Sequence, residues 1–75
     1  MRDSVLEHFL EYDCTSFEAR RIREAAAKPE DTYLTFNRWN VKMEPAKGLA
    51  TIEDELDTDR EESTTIEALL SRLPE

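Results

Sequence analysis

Cys14 and His8 are the residues able to serve as nucleophile and general base, and the chain holds one Cys and one His. Such a pair also needs a group that orients the base and donors for the developing charge. The sequence supplies neither. Its one glycine, Gly48, is not part of a glycine-rich turn, and His8 falls on the polar side of a helical pattern between Glu7 and Glu11. Cys14 therefore reads as a small, partly buried side chain and His8 as a surface residue, which points away from an enzyme. One Cys cannot form an internal disulfide, and with one His it cannot supply the four ligands of a structural zinc site. Asp57, Asp59 and Glu61 have the alternate spacing that opens a calcium loop. The sixth position of that loop needs glycine and is Glu62; the twelfth needs a bidentate carboxylate and is Ala68. The sequence thus implies no metal and no cofactor.

The acids carry a stronger signal. The 75 residues hold 18 Asp and Glu against 10 Lys and Arg, a net charge of −8. Residues 1–43 contribute −1, from eight acids and seven bases, whereas residues 44–75 contribute −7, from ten acids against Lys47, Arg60 and Arg72. Seven acids, Glu53, Asp54, Glu55, Asp57, Asp59, Glu61 and Glu62, crowd into ten residues with one base, Arg60. A block of this kind repels nucleic acid and attracts basic surfaces over about 8–10 Å in ordinary salt. On a helix, Glu53, Asp57 and Glu61 at i, i+4 spacing would place Cβ atoms about 5–6 Å apart, a ladder resembling a row of phosphates. The competing reading is a run that only solvates the chain.

Arg20, Arg21 and Arg23 carry the opposite signal. A helix with three arginines after a short break is a candidate for a DNA major groove, with a following hairpin as a wing. Against direct nucleic-acid binding stand the overall acidity and the helical spacings Glu18–Arg21 and Glu24–Arg20, which suit ion pairing on a solvated face.

These side chains must be positioned by elements, and the pattern names them. Ser4 with Glu7 has capping-box spacing, and Val5, Leu6, Phe9 and Leu10 form one face of a helix to about Tyr12. Asp13-Cys14-Thr15 reads as a break. Thr15 with Glu18 opens a second helix, through Phe17 and Ile22 to Lys28, which Pro29 ends. Thr32–Met43 is rich in β-branched and aromatic residues. With Asn37-Arg38 as a two-residue turn, Leu34, Phe36, Trp39, Val41 and Met43 share one side and Tyr33, Thr35, Asn40 and Lys42 the other. A β-hairpin is favoured over a third helix on that separation. Glu44–Gly48 reads as a linker, and Leu49, Ile52 and Leu56 as a thin helical stripe that frays by Asp57. Thr64 with Glu67 has capping-box spacing again, followed by Ile66, Leu69, Leu70 and Leu73 on one helical face up to Pro74. That face docks on the chain's own core, on a groove of another protein, or on the matching face of a second copy as a homodimer.

The sequence therefore predicts a small single α+β domain. Residues 1–43 form a helical hairpin plus a β-hairpin core, and residues 44–75 an acidic segment and C-terminal amphipathic helix packing on or beside it. The expected core is Val5, Leu6, Phe9, Leu10, Phe17, Ile22, Leu34, Phe36, Trp39 and Val41 with some of Ile66, Leu69 and Leu70. The longest stretch without a charge, Thr32–Asn37, is six residues, too short to span a membrane or form a signal-peptide core; the expected setting is the cytoplasm. The expected function is non-enzymatic. The acids from Glu53 to Glu62, with Leu69, Leu70 and Leu73 as apolar anchors, would dock on a basic surface of a nucleic-acid-binding protein and inhibit or regulate it. Phage-type inhibitors, including anti-CRISPR proteins and other nucleic-acid mimics, are the class this fits. The alternative is a small DNA-binding regulator or antitoxin that uses the Arg20, Arg21 and Arg23 helix.

Overall fold

Leu34 pairs with Val41, and Thr32 with Met43, in a computed structural model of the chain that describes residues 5–36 and 38–74, Thr58 by its backbone alone. The expected hairpin forms in the expected register, between β1 (Thr32–Thr35) and β2 (Trp39–Glu44). The Phe36 N–H donates to the Trp39 carbonyl at 2.8 Å and closes the turn. Asn37, half of the predicted turn, and Ser4, the first predicted cap, lie outside the described residues.

The stretch after the hairpin differs from the helical expectation. Glu44–Gly48 is a tight turn rather than a linker, with Lys47 N–H donating to Glu44 O and Gly48 N–H to Pro45 O, each at 3.1 Å. Gly48 sits at φ +67°, a conformation that side chains with a Cβ disfavour. The turn folds the chain back on β2, so Leu49–Asp54 is a strand, β3, with Met43 opposite Ala50 and Val41 opposite Ile52. Asp57–Thr65, expected to fray, is a nine-residue strand, β4, opposite β3. A period of two competes here with a period of three to four. Ala50, Ile52 and Asp54 face inward at every second position, while Leu56, the end of the helical stripe, lies in the β3–β4 turn and is 78% exposed. Pairing outweighs the low strand preference of acids, because an isolated two-stranded hairpin is marginal and the added strands complete its buried face.

The sheet is an antiparallel meander in the order β1-β2-β3-β4, and the helices cover one face of it. α1 (Val5–His8) runs into a π-helical turn, Phe9–Asp13, closed by Cys14 N–H to Phe9 O at 2.8 Å. The capping box at Thr15 and Glu18 opens α2 (Ser16–Ala26) as expected, with Thr15 N–H donating to Glu18 Oε1 at 2.9 Å. α3 (Ile66–Arg72) is capped one residue later than expected. Thr64 is held in the ladder opposite Ala50, and the Thr65 hydroxyl accepts from Ala68 N–H at 3.0 Å.

Val5, Leu6, Phe9, Ile22, Leu34, Trp39, Val41, Met43, Ile52, Leu69 and Leu73 meet in one core between helices and sheet. Phe17 does not join them and is 60% exposed. The inward residues of α2 are Ala19, Ile22 and Ala25, and Phe17 stands about 200° round the helix from Ala19, on the solvent side.

Candidate functional site

The sheet face opposite the helices carries the charged surface. Reading across the strands, Thr35, Asn40, Glu53 and Glu61 form one row, and Tyr33, Lys42, Thr51 and Ser63 the next. Glu53 and Glu61 are direct cross-strand partners, and like charges so placed oppose strand pairing. No Lys or Arg among the described residues closes an ion pair with Glu53, Glu55 or Glu61. The Tyr33 hydroxyl donates to Glu53 Oε1 at 2.6 Å, fixing one of the carboxylates, and this bond raises the Tyr33 phenol above its ordinary value. Tyr33, Asn40, Glu53, Asp54, Glu55 and Glu61 line a concavity of about 360 Å³.

The expected ladder of Glu53, Asp57 and Glu61 along a helix is therefore replaced by a pairing across strands. Its geometry depends on a register shift between Glu53 and Asp54, where Asp54 pairs with Asp57 but Glu53 with Glu61. Asp57 and Asp59 stay exposed beyond the shift, Asp57 Oδ1 accepting from Asp59 N–H at 3.2 Å. Glu62 is half-buried, and its Oε1 accepts from Leu6 N–H at 3.3 Å.

Asp54 is not a surface acid. It is 1% exposed, accepts from Arg38 at 3.1 and 3.4 Å, from Arg60 at 3.3 Å and from Leu56 N–H at 2.9 Å. The bonds from Arg38, foremost, hold its carboxyl below the usual carboxylate range. Arg38 also lies over the Trp39 ring, 5.0 Å from its centroid, and Trp39 Nε1–H donates to Asp13 Oδ2 at 2.5 Å. Of the three leucines read as anchors, Leu69 and Leu73 are buried in the chain's own core and Leu70 is partly buried against it. Own-core docking is thus the arrangement of that helix.

Of the other chemical candidates, Cys14, His8 and Glu18 are engaged within the fold, whereas Arg20, Arg21 and Arg23 stay exposed on α2. Cys14 is buried, and burial, chiefly, pushes its thiol up to about 11, so it is protonated at neutral pH. His8 lies against the rings of Tyr12 and Trp39, at 5.2 and 5.4 Å between centroids. Glu18 turns back on Thr15 instead of pairing with Arg21, which lies 5.9 Å from the Phe17 ring centroid. Arg23 Nη2 donates to the Leu73 carbonyl at 3.5 Å, tying α2 to the end of α3. Among the described residues no group of three or more His, Cys, Asp or Glu is arranged to hold a metal ion, and no helix is long and apolar enough to cross a membrane.

Sequence reasoning missed Tyr33 and Asn40 as site residues. Their signal was their place on the polar side of the hairpin, but its meaning depends on β3 and β4 bringing Glu53 and Glu61 alongside. The fold and this face define a small α+β domain with helices on one side of its sheet and an acidic surface on the other. No protein family, curated protein or solved structure matches the chain.

Proposed function

We propose that this chain is a non-enzymatic binding protein that docks its open acidic sheet face on a basic surface of another protein and thereby blocks or regulates it. The observation that supports this is the Glu53–Glu61 pair. Two carboxylates stand opposite each other, with Glu55 lining the same concavity, and no Lys or Arg among the described residues forms an ion pair with them. A cationic partner would relieve that repulsion on binding and gain complementary charge, which speeds association and selects partners. Nucleic-acid-binding proteins present basic surfaces of this kind, so an inhibitor that mimics nucleic acid, of the phage or anti-CRISPR type, fits this reading. The DNA-binding alternative, with Arg20, Arg21 and Arg23 exposed on α2, is less well supported, because the chain is strongly acidic overall and its net charge of −8 opposes phosphates.

The test compares the native chain with a Glu53→Gln/Glu55→Gln/Glu61→Gln variant. Affinity capture is followed by binding of the captured, purified protein at low salt and at about 1 M salt, where screening acts within about 3 Å. The expected result is a basic protein whose affinity falls in the variant and in high salt. Equal affinity for both chains removes the acidic face from the function. A mobility shift of duplex DNA by the chain itself favours the arginine helix instead.

A further inference from the structure

β1 is an edge strand whose outer hydrogen-bonding groups are unused. In an antiparallel pair, residues that exchange hydrogen bonds alternate with residues that exchange none. Phe36 N–H donates to Trp39 O at 2.8 Å, so the bonded pairs behind it are Leu34 with Val41 and Thr32 with Met43. Tyr33 and Thr35, both exposed, therefore turn their N–H and C=O away from β2. Among the described residues no strand lies beyond β1, and no backbone group bonds to these two.

Such an edge accepts a further strand unless charge, a bulge or a covering element prevents it. The opposite edge is protected. β4 carries Asp57, Asp59, Arg60, Glu61 and Glu62, and Glu62 Oε1 accepts from Leu6 N–H in α1. β1 lacks that protection, because Thr32–Phe36 holds no charge in a chain of which 37% is charged.

Charge and register together name the occupant. Two copies at −8 each repel over most of their surfaces, and at the uncharged β1 edge they meet with no like charges opposed. About a two-fold axis at Leu34, Tyr33 of one copy lies opposite Thr35 of the other, and each exchanges both its outward bonds. The contact is isologous and closed, with neither outward residue left over. Leu34 faces its own counterpart in a non-bonded pair, where side chains approach closest. The Tyr33 ring, 55% exposed, gains a threonine neighbour, an aromatic–β-branched pair of the favourable kind.

We propose that β1 pairs antiparallel with β1 of a second copy, joining the two sheets into one dimer. The axis stands perpendicular to the sheet, so both acidic faces lie on the same side of it. This association does not depend on the docking reading, and salt separates the two. Screening weakens attraction to a basic partner but relieves the repulsion between two acidic copies.

The test is sedimentation velocity of the native chain over a range of concentrations, at about 0.1 and 1 M salt, where screening lengths are about 10 and 3 Å. Amide hydrogen exchange is followed in the same samples. The expected result is a monomer–dimer equilibrium that strengthens with salt, with the Tyr33 and Thr35 amides slowing as the dimer fraction rises. Thr35→Pro removes an outward N–H that the β1–β2 ladder does not use, a position where an edge strand tolerates proline. It should stay folded and lose the dimer. Thr35→Lys, which places a charge on the same edge, repeats the measurement in case the proline variant is unstable. A monomer under every condition, open assemblies larger than a dimer, a dimer whose Tyr33 and Thr35 amides exchange as in the monomer, or a dimer undiminished in the folded variants overturns edge pairing. If partner binding is still lost in the triple glutamine variant, the docking reading stands without it. A dimer that meets these expectations stands equally if that variant binds its partner unchanged.

Discussion

Arg38, in the turn between β1 and β2, donates two hydrogen bonds to Asp54, at the end of β3, and so ties the first hairpin to the second. The Glu55 N–H donates to the Arg38 carbonyl at 2.8 Å, reinforcing the same junction from the backbone. Arg38 and Arg60 each keep about a third of their side chains exposed, so the one charge withdrawn from water is the carboxylate of Asp54. A buried charge is tolerated when paired and hydrogen-bonded, and it is costly when one side is removed.

Asp54→Asn should therefore lower stability by about 1.5–3 kcal/mol, the range for hydrogen bonds to charged groups. The pH dependence has a definite sign. The folded carboxyl titrates below its ordinary value, so its contribution is present above the unfolded pKa and is lost as pH falls through the folded one. Urea denaturation at neutral pH should separate the native chain from the variant, and the gap should close at low pH. A gap that persists in strong acid would place the effect elsewhere.

The Tyr33–Glu53 bond makes a prediction at the other end of the pH scale. The bond and the neighbouring charges of Glu53 and Glu55 raise the phenol above its ordinary value of about 10. Its contribution is therefore present below that value and is lost as pH rises through the folded one. In a Tyr12→Phe background, phenolate absorbance should report Tyr33, and Glu53→Gln should move its transition to lower pH. An unmoved transition would mean that Glu53 does not govern the hydroxyl.

The hairpin was legible because its signal is local. Leu34, Phe36, Trp39, Val41 and Met43 separate from Tyr33, Thr35, Asn40 and Lys42 once a two-residue turn is assumed, and the register follows from that alternation. The helix starting at Thr15 was legible for the same reason, through a capping box spanning four residues. β3 and β4 were not. Leu49, Ile52 and Leu56 fit a helical spacing as well as Ala50 and Ile52 fit a strand, and only the neighbouring β2 decides between them. The acids of the candidate site were visible as composition, but their roles depend on sheet register. That register buries Asp54 under Arg38, turns Glu62 toward Leu6, and sets Glu53 against Glu61.

That last pairing yields a trade between stability and binding. Opposite charges directly across two strands contribute about 0.2–1 kcal/mol, and like charges there are unfavourable. Glu61→Lys should therefore raise the thermal midpoint while weakening attachment to a basic partner. A variant that is both less stable and unimpaired in binding would remove the argument that this pair is kept for recognition.

The last prediction concerns the C-terminal helix. Leu69 is fully buried among residues from both the other helices and the sheet, whereas Leu56 projects from the β3–β4 turn. Leu69→Ala should cost about 2–5 kcal/mol through lost burial and the cavity left behind. Leu56→Ala should cost less than about 0.5 kcal/mol, as for ordinary surface changes. A domain of this size has a total stability of about 4–11 kcal/mol, so the first loss is a large share of it. Chemical denaturation of the two variants measures both numbers. Should Leu69→Ala leave stability unchanged but weaken partner binding, α3 would be a docking element rather than part of the core, since a leucine that closes the fold cannot serve a partner without opening it.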